Sequence, residues 1–157
     1  MKIDVGQHAP SIKAFDSDKQ EFNLEDHKGK KVLLLFFPAA FTSVCTQEMC
    51  MMRDDLSFYN NLNANIVGIS TDSLFVLDQY KKENSINFTL VSDYNKDISE
   101  AYGTAYDEFV FGMKGTSKRG AFVIDEDGIV RYAEVLDKAT DLPDFDAIKR
   151  ALSGVSA

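Results

Sequence analysis

KVLLLFFPAAFTSVCTQEMC, residues Lys31 to Cys50, holds an apolar run that stops at a proline and resumes in a different rhythm. Val32 to Phe37 is continuously apolar rather than alternating, the pattern of a strand buried on both faces of a sheet. Pro38 cannot donate to a sheet ladder, so the strand ends there. From Ser43 to about Leu62 the period becomes helical. Cys45, Met49, Met52, Leu56 and Tyr59 recur at steps of four and three and form one apolar stripe. A buried strand therefore feeds a helix through a short loop, and both cysteines of the chain lie at that junction.

The flanking sequence extends this unit. Upstream, SIKAFDSDKQEFNL reads as two short strands around a polar turn, a hairpin, followed by the charged connection EDHKGKK. Downstream, NANIVGIST is a buried strand, and DSLFVLDQYKKEN is a helix capped by Asp72 or Ser73. FTLVSD is a short strand, and KDISEAYG is a helix stopped by Gly103. After a loop with Gly112 and Gly115, RGAFVIDEDGIVRYAEVL gives two strands around the Asp127-Gly128 turn. DLPDFDAIKRAL is a closing helix with Pro143 in its first turn. Strands alternating with helices imply an α/β fold, a central mixed sheet flanked by helices with an N-terminal β-hairpin. This order, with a cysteine at the first strand-to-helix junction, resembles a thioredoxin-like domain.

The 157 residues fit one domain, spanning 1–157. A chain of this size buries roughly 70% of its unfolded surface and needs no disulfide or metal staple. The net charge of -8 argues against nucleic-acid binding, because nothing here would neutralise a run of phosphates. The opening MKIDVGQHAP is too polar for a signal peptide, and Val32–Phe37 is far short of the ~20 residues that span a bilayer. A soluble cytoplasmic protein is expected, with no membrane partner. In that compartment two cysteines read as thiols or a catalytic pair rather than a staple. Two distant histidines, His8 and His27, show no zinc-site spacing, and no Gly-rich phosphate loop is present. No metal or other cofactor is expected.

With Thr42 as N-cap, Cys45 is the third helical residue. First-turn N–H groups lack intrahelical partners and carry partial positive charge, which stabilises a thiolate, the nucleophilic form. The plainer alternative is a core cysteine on the apolar stripe. Cys50 lies five residues on, about 140° around an intact helix. The pair cannot bond without local unwinding, since a disulfide needs Cα atoms within about 7 Å. Cys50 shares its side with Asp54, Ser57 and Asn61. Two states follow: a helix with two thiols, and a partly unfolded form with a disulfide.

Pro38, Thr42 and Cys45 form Pro-x-x-x-Thr-x-x-Cys, which is similar to the active-site motif of the peroxiredoxins. The blocks VCTQE, RDD, VGIST, LVSD, AYG and KRGAFVIDEDGIV also resemble that family, in its order and over nearly the whole chain. The likeness is nearest to the small, short-tailed members, a group that includes one-cysteine-like and bacterioferritin-comigratory types. It implies a thiol-dependent peroxidase acting on hydrogen peroxide and organic hydroperoxides. Cys45 is then the peroxidatic cysteine, which becomes a sulfenic acid. Thr42 hydrogen-bonds the thiolate and the peroxide, and Pro38 shapes and dries the pocket. Arg119 supplies a fixed cation beside the sulfur, and Glu48 orients Arg119. Arg53 could pair with Asp54 or Glu48, or contact Arg119. Cys50 matches the resolving position of some members, which implies an internal disulfide reopened by thioredoxin or a similar thiol reductant. A homodimer is the family expectation. Phe41, Tyr102, Tyr106, Phe109 and Phe111 are then core or interface residues.

Three alternatives stay open at this point. An external thiol could resolve Cys45. The chain could be a dithiol-disulfide oxidoreductase, although its cysteines lack the Cys-x-x-Cys spacing and that reading leaves Pro38, Thr42 and Arg119 idle. It could also be a redox sensor.

Overall fold

The structure is a computed structural model that describes residues 2–154. Met1 and residues 155–157, the ends of the expected 1–157 span, lie outside the described residues. In chain order the elements are β1 (Lys13–Phe15), β2 (Glu21–Asn23), β3 (Lys31–Phe36), α1 (Ser43–Asp54), α2 (Leu56–Asn61), β4 (Ala64–Ser70), α3 (Leu74–Glu83), β5 (Thr89–Ser92), α4 (Asp97–Ala101), β6 (Arg119–Ile124), β7 (Val130–Leu136) and α5 (Phe145–Leu152). Short 3-10 turns cover Leu24–His27 and Val110–Gly112.

β1 and β2 form the expected antiparallel hairpin. The other strands make one mixed sheet in the order β5-β4-β3-β6-β7. β3 lies in its centre, parallel to β4 and antiparallel to β6. A central strand has no solvent face, which is why its sequence does not alternate. Leu33, Leu35 and Phe37 enter one core with Cys45, Met49 and Met52 of α1, Leu77 and Tyr80 of α3, and Ile148 and Leu152 of α5. Val32, Leu34 and Phe36 enter the other, with Phe22 and Leu24 from the hairpin side and Ile98 of α4. Burying each such aliphatic or aromatic side chain stabilises the fold by about 1.5–3 kcal/mol.

α1 lies close on the first face. Gly68 of β4 is where it does so: a Cβ there would stand 2.7 Å from Leu90 Cδ2, and 3.4 Å from Met49 Sδ and a Phe37 ring carbon. The missing side chain leaves room first for Leu90, and lets the fully buried Met49 sit directly over the strand.

Two boundaries differ from the sequence reading. The helix expected from Ser43 to about Leu62 is two helices meeting at Asp55, whose φ of -105° and ψ of 11° leave the helical region. Its N–H is shared between the Met51 and Met52 carbonyls, and its carboxylate pairs with Lys149 at 3.1 Å. The apolar stripe survives the break, with Tyr59 fully buried and Leu56 packed against the core. Pro143 is not in the first turn of α5. Asp144 is the N-cap, accepting from the Ala147 N–H at 3.0 Å, so the helix begins at Phe145 and Pro143 precedes the cap.

Candidate active site

The register of the central strands builds the site. β3 ends at Phe36, which pairs with Gly120 of the antiparallel β6. The end of β3 and the start of β6 therefore coincide, and Arg119, the first residue of β6, stands beside the loop that leads to α1. Pro38 is buried at the strand end, as expected. The loop then turns sharply, with Phe41 in the left-handed region at φ 66°. Its Ala40 N–H donates to Asp72 Oδ2 at 2.8 Å, and the Ser70 hydroxyl donates to the same oxygen at 2.7 Å.

Thr42 is the N-cap of α1 by position, but its side chain does not cap the helix. The hydroxyl donates instead to the Ala39 carbonyl at 2.7 Å, which corrects the expectation of a side-chain cap. That bond uses the hydroxyl proton and leaves oxygen lone pairs for another donor. The Thr46 N–H closes the first helical turn onto the Thr42 carbonyl at 2.9 Å.

Cys45 follows in the first turn and is 1% exposed. Arg119 Nη2 donates to its Sγ at 3.3 Å and to the Ala139 carbonyl at 2.8 Å. Nη1 donates to Glu48 Oε1 at 2.7 Å. Glu48 is one turn beyond Cys45 on the same face, so one guanidinium spans both. Both ion-pair partners are buried, and the bond is charge-assisted on each side. Among the described residues, Glu48 Oε2 and Arg119 Nε have no hydrogen-bond partner. Burial drives the Glu48 carboxyl up to about 7, against the charge and hydrogen bond of Arg119, which pull it down. Burial also works against the Arg119 cation, yet its interactions with Glu48 and with the Cys45 sulfur more than offset it and raise its value. The fork is thus a fixed cation in a dry pocket, with its planar donors divided between a carboxylate, a carbonyl and a sulfur.

Cys50 is half-buried on the opposite side of the unbroken α1, and both cysteines are free thiols. This is the first of the two states read from the sequence. Asp54, Ser57 and Asn61 are exposed, as expected for that side. Arg53 bonds Asp54 at 2.9 Å and the Asn84 carbonyl at 2.5 Å rather than Glu48. The aromatic residues divide: Tyr102 is core, while Phe41 and Phe111 are 51% and 98% exposed. Tyr106 and Phe109 stack on each other.

Two contacts escaped the sequence reading. The sequence presents Asp72 only as a candidate helix cap. Ser73 caps α3 through the Val76 N–H, which frees Asp72 to hold the active-site loop. Two adjacent cap-forming residues were the available signal. The other contact runs from Tyr80 on α3, whose hydroxyl donates to Thr46 Oγ1 at 3.1 Å. Helical periodicity marks Tyr80 as core and says nothing of its partner.

Known proteins give an independent measure. The profile of the AhpC/TSA family matches residues 5–133. A putative peroxiredoxin bcp of Coxiella burnetii is 37% identical over 83% of this chain and 87% of its own. The mitochondrial thioredoxin-dependent peroxide reductase of Mus musculus is 32% identical over 98% of this chain and 60% of its own. The crystal structure of peroxidoxin BcpB from Mycobacterium tuberculosis superposes with a TM-score of 0.86 at 25% identity, covering 99% of both chains. With a strand-to-helix cysteine beside a buried arginine on this sheet, the chain belongs to the AhpC/TSA family and is a peroxiredoxin of thioredoxin-like fold.

Proposed function

We propose that Cys45 is the peroxidatic cysteine of a thiol-dependent peroxidase. Its thiolate attacks one oxygen of a hydroperoxide, the O–O bond breaks, and the leaving oxygen departs as water or an alcohol once protonated. The sulfur is oxidised to a sulfenic acid and the peroxide is reduced. The observation that carries this reading is the 3.3 Å contact from Arg119 Nη2 to a sulfur that is almost wholly buried. A cation held there opposes the negative charge of the thiolate and of the leaving oxygen. Glu48 is a positioning residue that fixes the guanidinium. Thr42, its proton committed to Ala39, offers its oxygen to the peroxide O–H. Pro38 brings no N–H into the pocket.

Resolution falls to Cys50. Its thiol attacks the sulfenic sulfur, a Cys45–Cys50 disulfide forms and water leaves. Thioredoxin or a similar dithiol then reduces that disulfide by exchange. A reducing compartment such as the cytoplasm suits this cycle. The unbroken helix between the cysteines favours a second reading, in which an external thiol reaches the sulfenic acid. We assign a homodimer on the strength of exposed Phe41 near the site and of Phe111.

Stopped-flow mixing of reduced protein with one equivalent of hydroperoxide tests the core reading. Fast peroxide consumption is expected, and Cys45→Ser should slow it by roughly 10^6-fold, as deletion of a nucleophile does. Full activity in that variant sinks the proposal.

A further inference from the structure

The geometry points to the Tyr80 hydroxyl as a latch on the segment between the two cysteines, a positioning residue that sets how often that segment opens. Its effect on turnover rests on the resolving role proposed for Cys50.

Thr46 is the residue next to Cys45 and lies within the interval that must unwind before Cys50 can reach the sulfur. Little inside the helix holds this interval at its N-terminal end. The Thr42 side chain gives no cap, and the first helical bond is the one from the Thr46 N–H. Tyr80 holds it from outside. The ring meets Phe41 edge-on at 5.1 Å and Phe37 at 6.2 Å, so it touches the loop before the helix. The hydroxyl reaches past the loop to Thr46 at 3.1 Å. Tyr80 itself is firmly seated: it is fully buried in the last turn of α3, and its carbonyl accepts from both the backbone and side-chain nitrogens of Asn84.

Burial alone does not demand this bond. Tyr59 is equally buried, and among the described residues its hydroxyl has no partner. The Tyr80 bond is made to the one segment whose movement the chemistry requires. When that segment opens, the phenol loses its acceptor while still inside the protein, and an unmade buried hydrogen bond is costly. Burial pushes the phenol up to about 12, against the Thr46 bond, which pulls it down, and with smaller help from Cys45, Cys50 and Glu48, so it remains neutral at working pH.

The latch therefore acts after the first oxidation. While the segment is closed, the Cys45 sulfenic acid waits in the pocket, where a second hydroperoxide can oxidise it to sulfinic acid with loss of water or alcohol. When the segment opens, Cys50 condenses with the sulfenic acid and water leaves.

Tyr80→Phe removes the hydroxyl and keeps the ring, and Thr46→Val removes the acceptor and keeps the shape. Native-state hydrogen exchange of the reduced protein reads the opening directly. In either variant the amides of Thr46 to Cys50 should exchange about fivefold faster, the worth of one ordinary hydrogen bond. The amides of β3 are the reference, since a merely structural role would accelerate both sets alike. After one equivalent of hydrogen peroxide, mass spectrometry should show the disulfide forming faster by the same factor. At excess peroxide, less sulfinic acid should accumulate. The double variant should add nothing to either single one. Equal acceleration of β3 and the Thr46–Cys50 segment overturns the latch, as do unchanged exchange or single effects that multiply in the double variant. Faster exchange with no Cys45–Cys50 disulfide even in the parent protein upholds the latch and refutes the resolving role of Cys50.

Discussion

On one side of α1, Cys45 is buried against a guanidinium that Glu48 and the Ala139 carbonyl hold in place. On the other side Cys50 is half-buried, with exposed Asp54 one turn on. The same helix thus presents one sulfur fixed beside a cation and one sulfur near solvent. Under the roles proposed above, the contrast places different demands on the two cysteines. A nucleophile that meets a small substrate gains from rigid, dry surroundings, because the charge stabilisation is already in place. A thiol that must meet another sulfur gains from access, and here it also needs its helix to give way.

The contrast can be broken first at its loose side. Cys50→Ser should abolish the internal disulfide, so that one equivalent of peroxide leaves a gain of one oxygen on Cys45 rather than a loss of two hydrogens. A mass spectrum after one turnover decides this, and a persisting disulfide-like mass loss would refute the assignment. Next comes the fixed side. Arg119→Ala should slow peroxide consumption by about 10^2–10^3-fold, the cost of deleting one preorganised donor. If stopped-flow rates stay within a few-fold of the parent, the guanidinium has no role in the reaction.

Smaller effects sharpen the comparison. Asp72→Ala strands the Ala40 N–H in a buried loop and should cost about 1–3 kcal/mol in urea unfolding. Asp72→Asn keeps an acceptor and should recover much of that loss; an unchanged stability in Asp72→Ala would show that the hydrogen bond is immaterial. The last prediction concerns pH. Glu48 in the folded protein titrates at about 7, above its ordinary 4.5. A raised value means the folded state holds the proton more tightly, so this stability is complete below about 4.5 and is lost as pH climbs through about 7. Unfolding midpoints should therefore fall across that window, and Glu48→Gln should flatten the slope. An unchanged slope in the variant would assign the effect to another group.

Most of this architecture was legible in the sequence, because it follows from local pattern. The unalternating Val32–Phe37 run requires a central strand, and the steps from Cys45 to Tyr59 require a stripe facing it. The cysteine, the arginine and the glutamate were legible too, through the motif and its downstream block. What was not legible depends on register and on competition between partners. Nothing in Thr42 says that its hydroxyl chooses the Ala39 carbonyl over a helix N–H. Nothing near Asp72 says that Ser73 takes the capping role and releases it. Tyr80 and Thr46 are 34 residues apart, and only the packing of α3 beside α1 brings their hydroxyls together. The break at Asp55 likewise reflects a bond shared between two carbonyls, which periodicity does not register.

Gly68 contributes no reactive group, yet it sets a dimension of the active site. Met49 rests over the space where its side chain is missing, and Met49 is one residue from the carboxylate that holds the arginine. The clearance between helix and sheet is thus a tolerance of the machine. A single methyl at Gly68 would overlap the end of the Leu90 side chain and stand in van der Waals contact with Met49 and Phe37, so Leu90 must give way and no slack is left under the helix that carries the sulfur.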